Sequence, residues 1–396
     1  MGEFAAALSE HPDAALAAAE VVEEVAAALG PGRRPDLALV FFTPPHLEAA
    51  DEVAGAVRAG LEPVTLLGCG AVAVVGGARE VEGTPAVSLW AARTMPTEAF
   101  HLTATAEPSA APGAAAAPPA ILEGWPPGLP DDAEALLVLA DPLSFPVEAV
   151  LQRLGDERAG LPVVGGLASA GQRPGANRLV LDDEVHTSGA VVAVIRAPAV
   201  VRTVVSQGCR PVGVPLVVTR AERNVVYELA GRPALERLGE AAESMPEADR
   251  HLLNTGVHLG RVIDEHRSDF GRGDFLVRNV LGGDVSSGAI AVGDLIEVGS
   301  TVQYQVRDAA SADEDLRDLL GGSRAGGALL FTCNGRGTNL FAEADHDARL
   351  LAAEVGPAPV AGMFCAGELG PIGGRNFLHG FTASVVLVDV PEVLTA

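Results

Sequence analysis

The chain predicts an α/β fold, with two pseudo-repeated halves of β-sheet covered by helices in a layered αββα-like sandwich. Three observations lead there. Continuous apolar runs such as Asp36 to Thr43, Ala135 to Ala140 and Ala328 to Cys333 alternate with helical stretches, the pattern of strands buried on both faces and joined by crossovers. A strand–loop–helix–strand–loop–strand unit recurs, and aligning on Pro63, Pro162 and Pro359 puts Cys69, Ala168 and Cys365 at one offset. Finally, 48% of the 396 residues are hydrophobic, enough for a large core.

Taken in order, Asp13 to Leu29 reads as an amphipathic helix stopped by Gly30-Pro31-Gly32. A strand over Asp36 to Thr43 leads through a helix, His46 to Ala59, to Pro63-Val64 and the loop Gly68-Cys69-Gly70. Thr84 to Ala91 closes this unit. Residues 103–130, rich in Ala and Pro, are expected to be a flexible surface insertion, since prolines bar a helix there. A second unit runs from Ala135 to Ile195, with a helix over Pro146 to Leu154 and a loop over Gly165 to Gly171.

Strands Val200 to Ser206 and Pro215 to Arg220 flank an expected loop, Gly208 to Gly213. A helix follows at Ala234 to Glu243, and a glycine-rich turn at Gly282 to Gly288. Thr301 to Arg307 alternates strictly, as a half-exposed strand should. The third unit begins at Ala328, continues through Asn334-Gly335-Arg336-Gly337 into a helix over Asn339 to Glu354, and ends at Val388.

The formal net charge of −25 argues against nucleic acid and anionic membrane as partners, because both are polyanions. Every one of the 27 cations is arginine, which removes Schiff-base and phosphate-loop lysine chemistry. No G-x-G-x-x-G or phosphate-loop pattern occurs and the nine histidines fit no common metal spacing, so neither cofactor nor metal is expected. The four cysteines are too sparse for a disulfide framework and point to a cytoplasmic chain.

Several blocks then resemble the FIST family. They are Gln207 to Gly213, Val225 to Leu235, Arg278-Asn279, Gly288 to Asp294, Val306 to Asp308, Cys333 to Gly337 and Gly367 to Pro371. The resemblance divides the chain into an N-terminal helix, residues 1–32, a FIST N-terminal-like domain, 33–197, and a FIST C-terminal-like domain, 198–396. It implies a bacterial sensory protein that binds a small ligand, proposed to be an amino acid or similar metabolite. Its loop Gly68-Cys69-Gly70-Ala71-Val72-Ala73 matches the family only at the first two positions. No output domain is expected in the flanks, and signalling is expected through a separate partner protein.

The site candidates lie on the last unit's two glycine loops. Asn334, Gly335, Arg336 and Gly337 form a strand-to-helix turn where glycines allow close approach and backbone N–H groups favour an anion. Arg336 reads either as a bidentate carboxylate ligand or as an arginine paired to structure. Glu368, beside Gly367, reads as the acceptor of a ligand ammonium or as a partner of Arg336 or Arg375. Arg210 is a further cation candidate. The alternative function is a thiol hydrolase or acyl transferase using Cys333 or Cys365 with His346 or His379, and a third is a ligand-free scaffold.

Overall fold

The computed structural model describes residues 3–106, 120–267 and 269–391. Three distant segments fold into the same β-α-β unit. Leu37–Phe42, Ala133–Ala140 and Gly327–Cys333 each lead through a helix, Ala50–Leu61, Val147–Glu157 or His346–Val355. Each helix returns the chain to a parallel neighbour, Thr65–Gly70, Val163–Leu167 or Val360–Cys365. Antiparallel strands Val87–Ala92, Ala190–Arg196 and Thr382–Asp389 flank the units on their other side. A further strand lies outside each of these: Phe4–Ser9, Thr97–Ala106 or Val200–Gln207.

Because strand side chains alternate, each unit buries both faces. Leu39, Phe41, Leu137, Leu139, Leu329 and Phe331 enter one central cluster shared by all three units. Their neighbours face the helices: Val40 and Phe42 meet Val53 and Val57, Val138 meets Val150, and Leu330 meets Leu351. The result is a mixed α/β fold with several sheets.

The units also exchange hairpins. Ala73–Gly76 and Arg79–Glu82, from the first unit, pair onto the third unit's Val360–Cys365. Leu179–Leu181 and Glu184–His186, from the second, pair onto the first unit's Thr65–Gly70. Glu368–Ile372 and Arg375–His379, from the third, pair onto the second unit's Val163–Leu167. The exchange is cyclic, so each sheet is completed by residues far away in sequence.

Between the second and third units, six strands close on themselves around a separate core. They run in the order Cys209–Glu222, Thr301–Arg307, Val257–Val262, Phe275–Asp284, Ala289–Val292 and Val225–Leu229. The last pairs back onto the first. Val218, Leu229, Ile290 and Tyr304 fill this core.

Several local expectations are corrected. A strand, Phe4–Ser9, precedes the first helix, because pairing with Val87–Ala92 buries its alternate side chains. Gly68 to Gly70 and Cys209 to Gly213 are strand rather than loop. Residues 103–106 and 120–123 of the expected insertion pair as a ladder, while 107–119 lie outside the described residues. Thr301–Arg307 is buried on both faces rather than half-exposed, with Gln303 Nε2 donating to Gly213 O at 2.9 Å. The helix expected from Asn339 starts only at His346, because Asp345 sits at φ +64 and breaks the turn.

Glycines inside these strands mark close approach. A Cβ on Gly362 would fall 1.9 Å from Leu330 O, and one on Gly165 would fall 2.1 Å from Val138 O. Both contacts are with backbone that cannot step aside. Gly362→Ala is therefore expected to destabilise the chain by about 3 kcal/mol, measured by urea unfolding; a change under about 0.5 kcal/mol would show that the parallel ladder yields.

Candidate functional site

The loop after Gly327–Cys333 is held by backbone bonds and by two side chains. Asn334 N donates to Cys365 O at 2.9 Å and Arg336 N donates to Cys333 O at 2.8 Å. Asn339 Nδ2 donates to Asn334 O at 3.0 Å, and Arg307 donates to the carbonyls of Gly335 and Asn339. Gly337 sits at φ +54, and a Cβ there would lie 2.7 Å from both Glu82 Oε1 and the Phe364 ring. No side chain fits that space.

The anion favoured by this turn is already present. Glu82, on the first unit's hairpin, accepts from Thr338 N at 3.0 Å and from Thr338 Oγ1 at 2.8 Å. Its neighbour Glu80 accepts from Ala348 N at 2.9 Å at the start of the next helix.

Arg336 is fully buried and points inward. Its Nε and Nη2 donate to Asp347 Oδ2 and Oδ1 at 2.6 and 2.8 Å. Asp347 also accepts from Thr332 Oγ1 at 2.8 Å, and His346 bridges Asp347 and Asp313 at 3.0 Å each. Burial opposes the Asp347 charge, but Arg336 holds its carboxyl well below the usual range. Arg336 Nη1 has no hydrogen-bond partner and lies beside Gly208.

Glu368 is equally buried and pairs with neither Arg336 nor Arg375. Its Oε2 accepts from Thr382 N at 3.2 Å and Thr382 Oγ1 at 2.8 Å, while Oε1 is unpartnered. Burial pushes its pKa up to about 8, so the carboxyl is mostly neutral at pH 7.

Two cavities flank the loop, and Asn334 lines both. One, of about 290 Å³, is bounded by Gly367 and His379 and by Arg278, Asn279 and Asp294 of the barrel. Arg278 Nε donates to Asp294 Oδ2, and its Nη1 and Nη2 donate to Val277 O and Leu378 O, each at 3.1 Å. These bonds use three of the five N–H groups a guanidinium carries. Burial lowers the His379 pKa to about 4, so that wall is neutral. The other cavity, of about 520 Å³, opens where the three units meet.

Of the sequence candidates, Asn334 and Gly367 reach the small cavity together with Cys333. Gly335, Arg336, Gly337 and Glu368 form the layer behind them. Arg210 stands apart, tied to Asp308 at 2.8 Å and Asp249 at 2.9 Å. Cys333 and Cys365 are buried, and burial, reinforced by Glu368, pushes both thiols upward. Burial likewise pushes the Cys209 thiol up to about 12. Among the described residues no group of His, Cys, Asp and Glu could hold a metal, and no helix is long and apolar enough to cross a membrane.

Sequence reasoning missed Arg278 and Asp294 as site charges. The Arg278-Asn279 pair stood out as a motif, but only barrel closure turns it toward the Asn334 loop.

Comparison with known proteins bears on the whole chain. A profile of the FIST N domain matches residues 36–232, and one of the FIST C domain matches residues 234–371. The uncharacterized protein Rv0628c of Mycobacterium tuberculosis is 43% identical over 388 residues, covering 96% of this chain and 98% of its own. The uncharacterized protein Mb0898c of Mycobacterium bovis is 42% identical over 384 residues, covering 95% and 96%.

Proposed function

This chain belongs to the FIST family, and from that premise we propose that it is a sensory protein whose ligand is a small zwitterionic metabolite of the amino-acid type. FIST domains are generally associated with sensory, ligand-binding roles. The observation that carries the ligand class is the pairing of Arg278 with Asp294 on one wall of the 290 Å³ cavity.

Arg278 has N–H groups to spare for a carboxylate, and Asp294, with Glu148 at the rim, faces a ligand ammonium. Asn334 and Gly367 supply the opposite wall. The volume lies at the low end of the range for small-molecule sites, about 300–1,000 Å³. Arg336 and Glu368 serve from behind, the first by locking the loop to Asp347 and the second as a neutral filler. Binding would favour one arrangement of the barrel against the third unit, which a separate signalling protein then reads. Thiol catalysis lacks its reagent, since burial holds the thiols in the protonated form.

Thermal unfolding against free amino acids and keto acids tests this reading. A ligand at a hundredfold excess over its dissociation constant adds about 2.7 kcal/mol. The amino acids are expected to give that shift and Arg278→Gln to lose it. The same ligand-induced shift in Arg278→Gln would sink the assignment.

A further inference from the structure

The larger cleft lies outside the site just described and has different chemistry. All three β-α-β units present the carboxyl ends of their parallel strands to it. Val72, Ser169 and Ala366 follow the first, second and third units' inner strands, and Asn334 follows the third unit's first strand. Crevices beyond the carboxyl ends of parallel strands are the usual ligand positions of open α/β sheets. Here three such ends converge on one space of about 520 Å³.

Its floor is preformed. Ser169 Oγ donates to Phe364 O at 2.5 Å and accepts from Val72 N at 2.9 Å, so one hydroxyl ties the three units together. A floor fixed in this way needs little ordering when a ligand arrives.

The lining also selects by charge. Among the described residues no arginine or histidine borders the cleft. The ionisable side chain that lines it among the described residues, Glu82, already has both oxygens engaged by Thr338. A carboxylate or phosphate entering here would lose water without gaining a counter-charge. The polar groups that remain are the side-chain amides of Gln172, Asn334 and Asn339, the last with one of its two N–H groups given to Asn334 O. Leu143 and Val72 line the same cleft and are 46% and 40% exposed.

We propose that this cleft is a second binding site, for an uncharged molecule with a carboxamide-type head and an apolar body. The head meets the Gln172, Asn334 and Asn339 amides, and the body covers Leu143 and Val72. Since Asn334 lines both cavities, an occupant here touches the same loop as a ligand in the smaller cavity.

Saturation-transfer NMR on the full chain, with N-acetyl-leucinamide as the probe, tests this. Signal is expected for the amide and is not displaced by excess leucine. N-acetylleucine, which adds a carboxylate, is expected to bind at least about tenfold more weakly. Leu143→Asp and Val72→Asp alter exposed positions and so leave folding intact; each is expected to weaken the amide by about tenfold or more. Absence of transfer to the amide, equal binding of the acid, or binding indifferent to both variants would overturn the proposal. Displacement by leucine would overturn it too, by placing both probes in one cavity. The smaller cavity is judged separately, by the leucine-induced thermal shift and its loss in Arg278→Gln.

Discussion

Replacing Arg336 by methionine is expected to destabilise the chain by about 3–5 kcal/mol, the range for breaking a buried ion pair by removing one partner. Asp347 would keep only Thr332 Oγ1 and His346 as neighbours able to satisfy it, with no water in reach. The buried Glu80 nearby offers no counter-charge, since burial and the Asp347 carboxylate push its pKa up to about 8 and keep it mostly protonated near pH 7. Asp347→Asn alone would strand the guanidinium and is expected to be costly as well. The double variant, Arg336→Met with Asp347→Asn, is expected to lose less than the two single losses added together, because neither charge is then left alone. Urea unfolding of the four proteins gives the coupling. A loss under about 1 kcal/mol for Arg336→Met would mean that the pair behaves as a solvated one and that the loop is held by its backbone alone.

Glu368→Gln is expected to become increasingly stabilising as pH rises. The native pKa of about 8 stands above the ordinary value of 4.5, so between them the folded chain holds a proton that the unfolded chain releases. Stability must then fall as pH rises across that window, by about 1.4 kcal/mol per pH unit for this group, and level off above it. The full span is on the order of 5 kcal/mol. Below the window the group contributes no difference. Glutamine keeps an acceptor for Thr382 and cannot ionise, so the variant escapes the loss. Near pH 5 the two proteins should be similar, and near pH 9 the variant should be clearly more stable. Denaturant midpoints across this range decide it. A constant difference between the two proteins at every pH would show that Glu368 stays charged in the folded chain.

Much of the framework was legible from the residues. The apolar runs that became Leu37–Phe42, Ala133–Ala140 and Gly327–Cys333 could hardly be anything but strands buried on both faces. The first helix, read as Asp13 to Leu29, forms over Ala14–Leu29. The recurrence of three units and the FIST family were both readable in local pattern. Arg336 left two readings open, and Asp347 is the structural partner that one of them required.

The rest depended on contacts between residues far apart. The hairpins at Arg79–Glu82 and Glu368–His379 are short and polar or glycine-rich, and become strand only by pairing onto another unit's edge. Glu82 reaches Thr338 across 256 positions, so no local pattern could announce that the turn's anion site was filled from within. Arg278 and Asp294 became a cavity wall only when the barrel closed beside the third unit. Glu368 shows the same limit in its chemistry, because a carboxyl's pKa depends on the water around it. By itself, then, the sequence determined the periodic elements, their repeat and the family, all of which rest on neighbours along the chain. The tertiary structure decided which charges are buried, which are paired and which still face a cavity, because burial and pairing arise only when distant segments pack together.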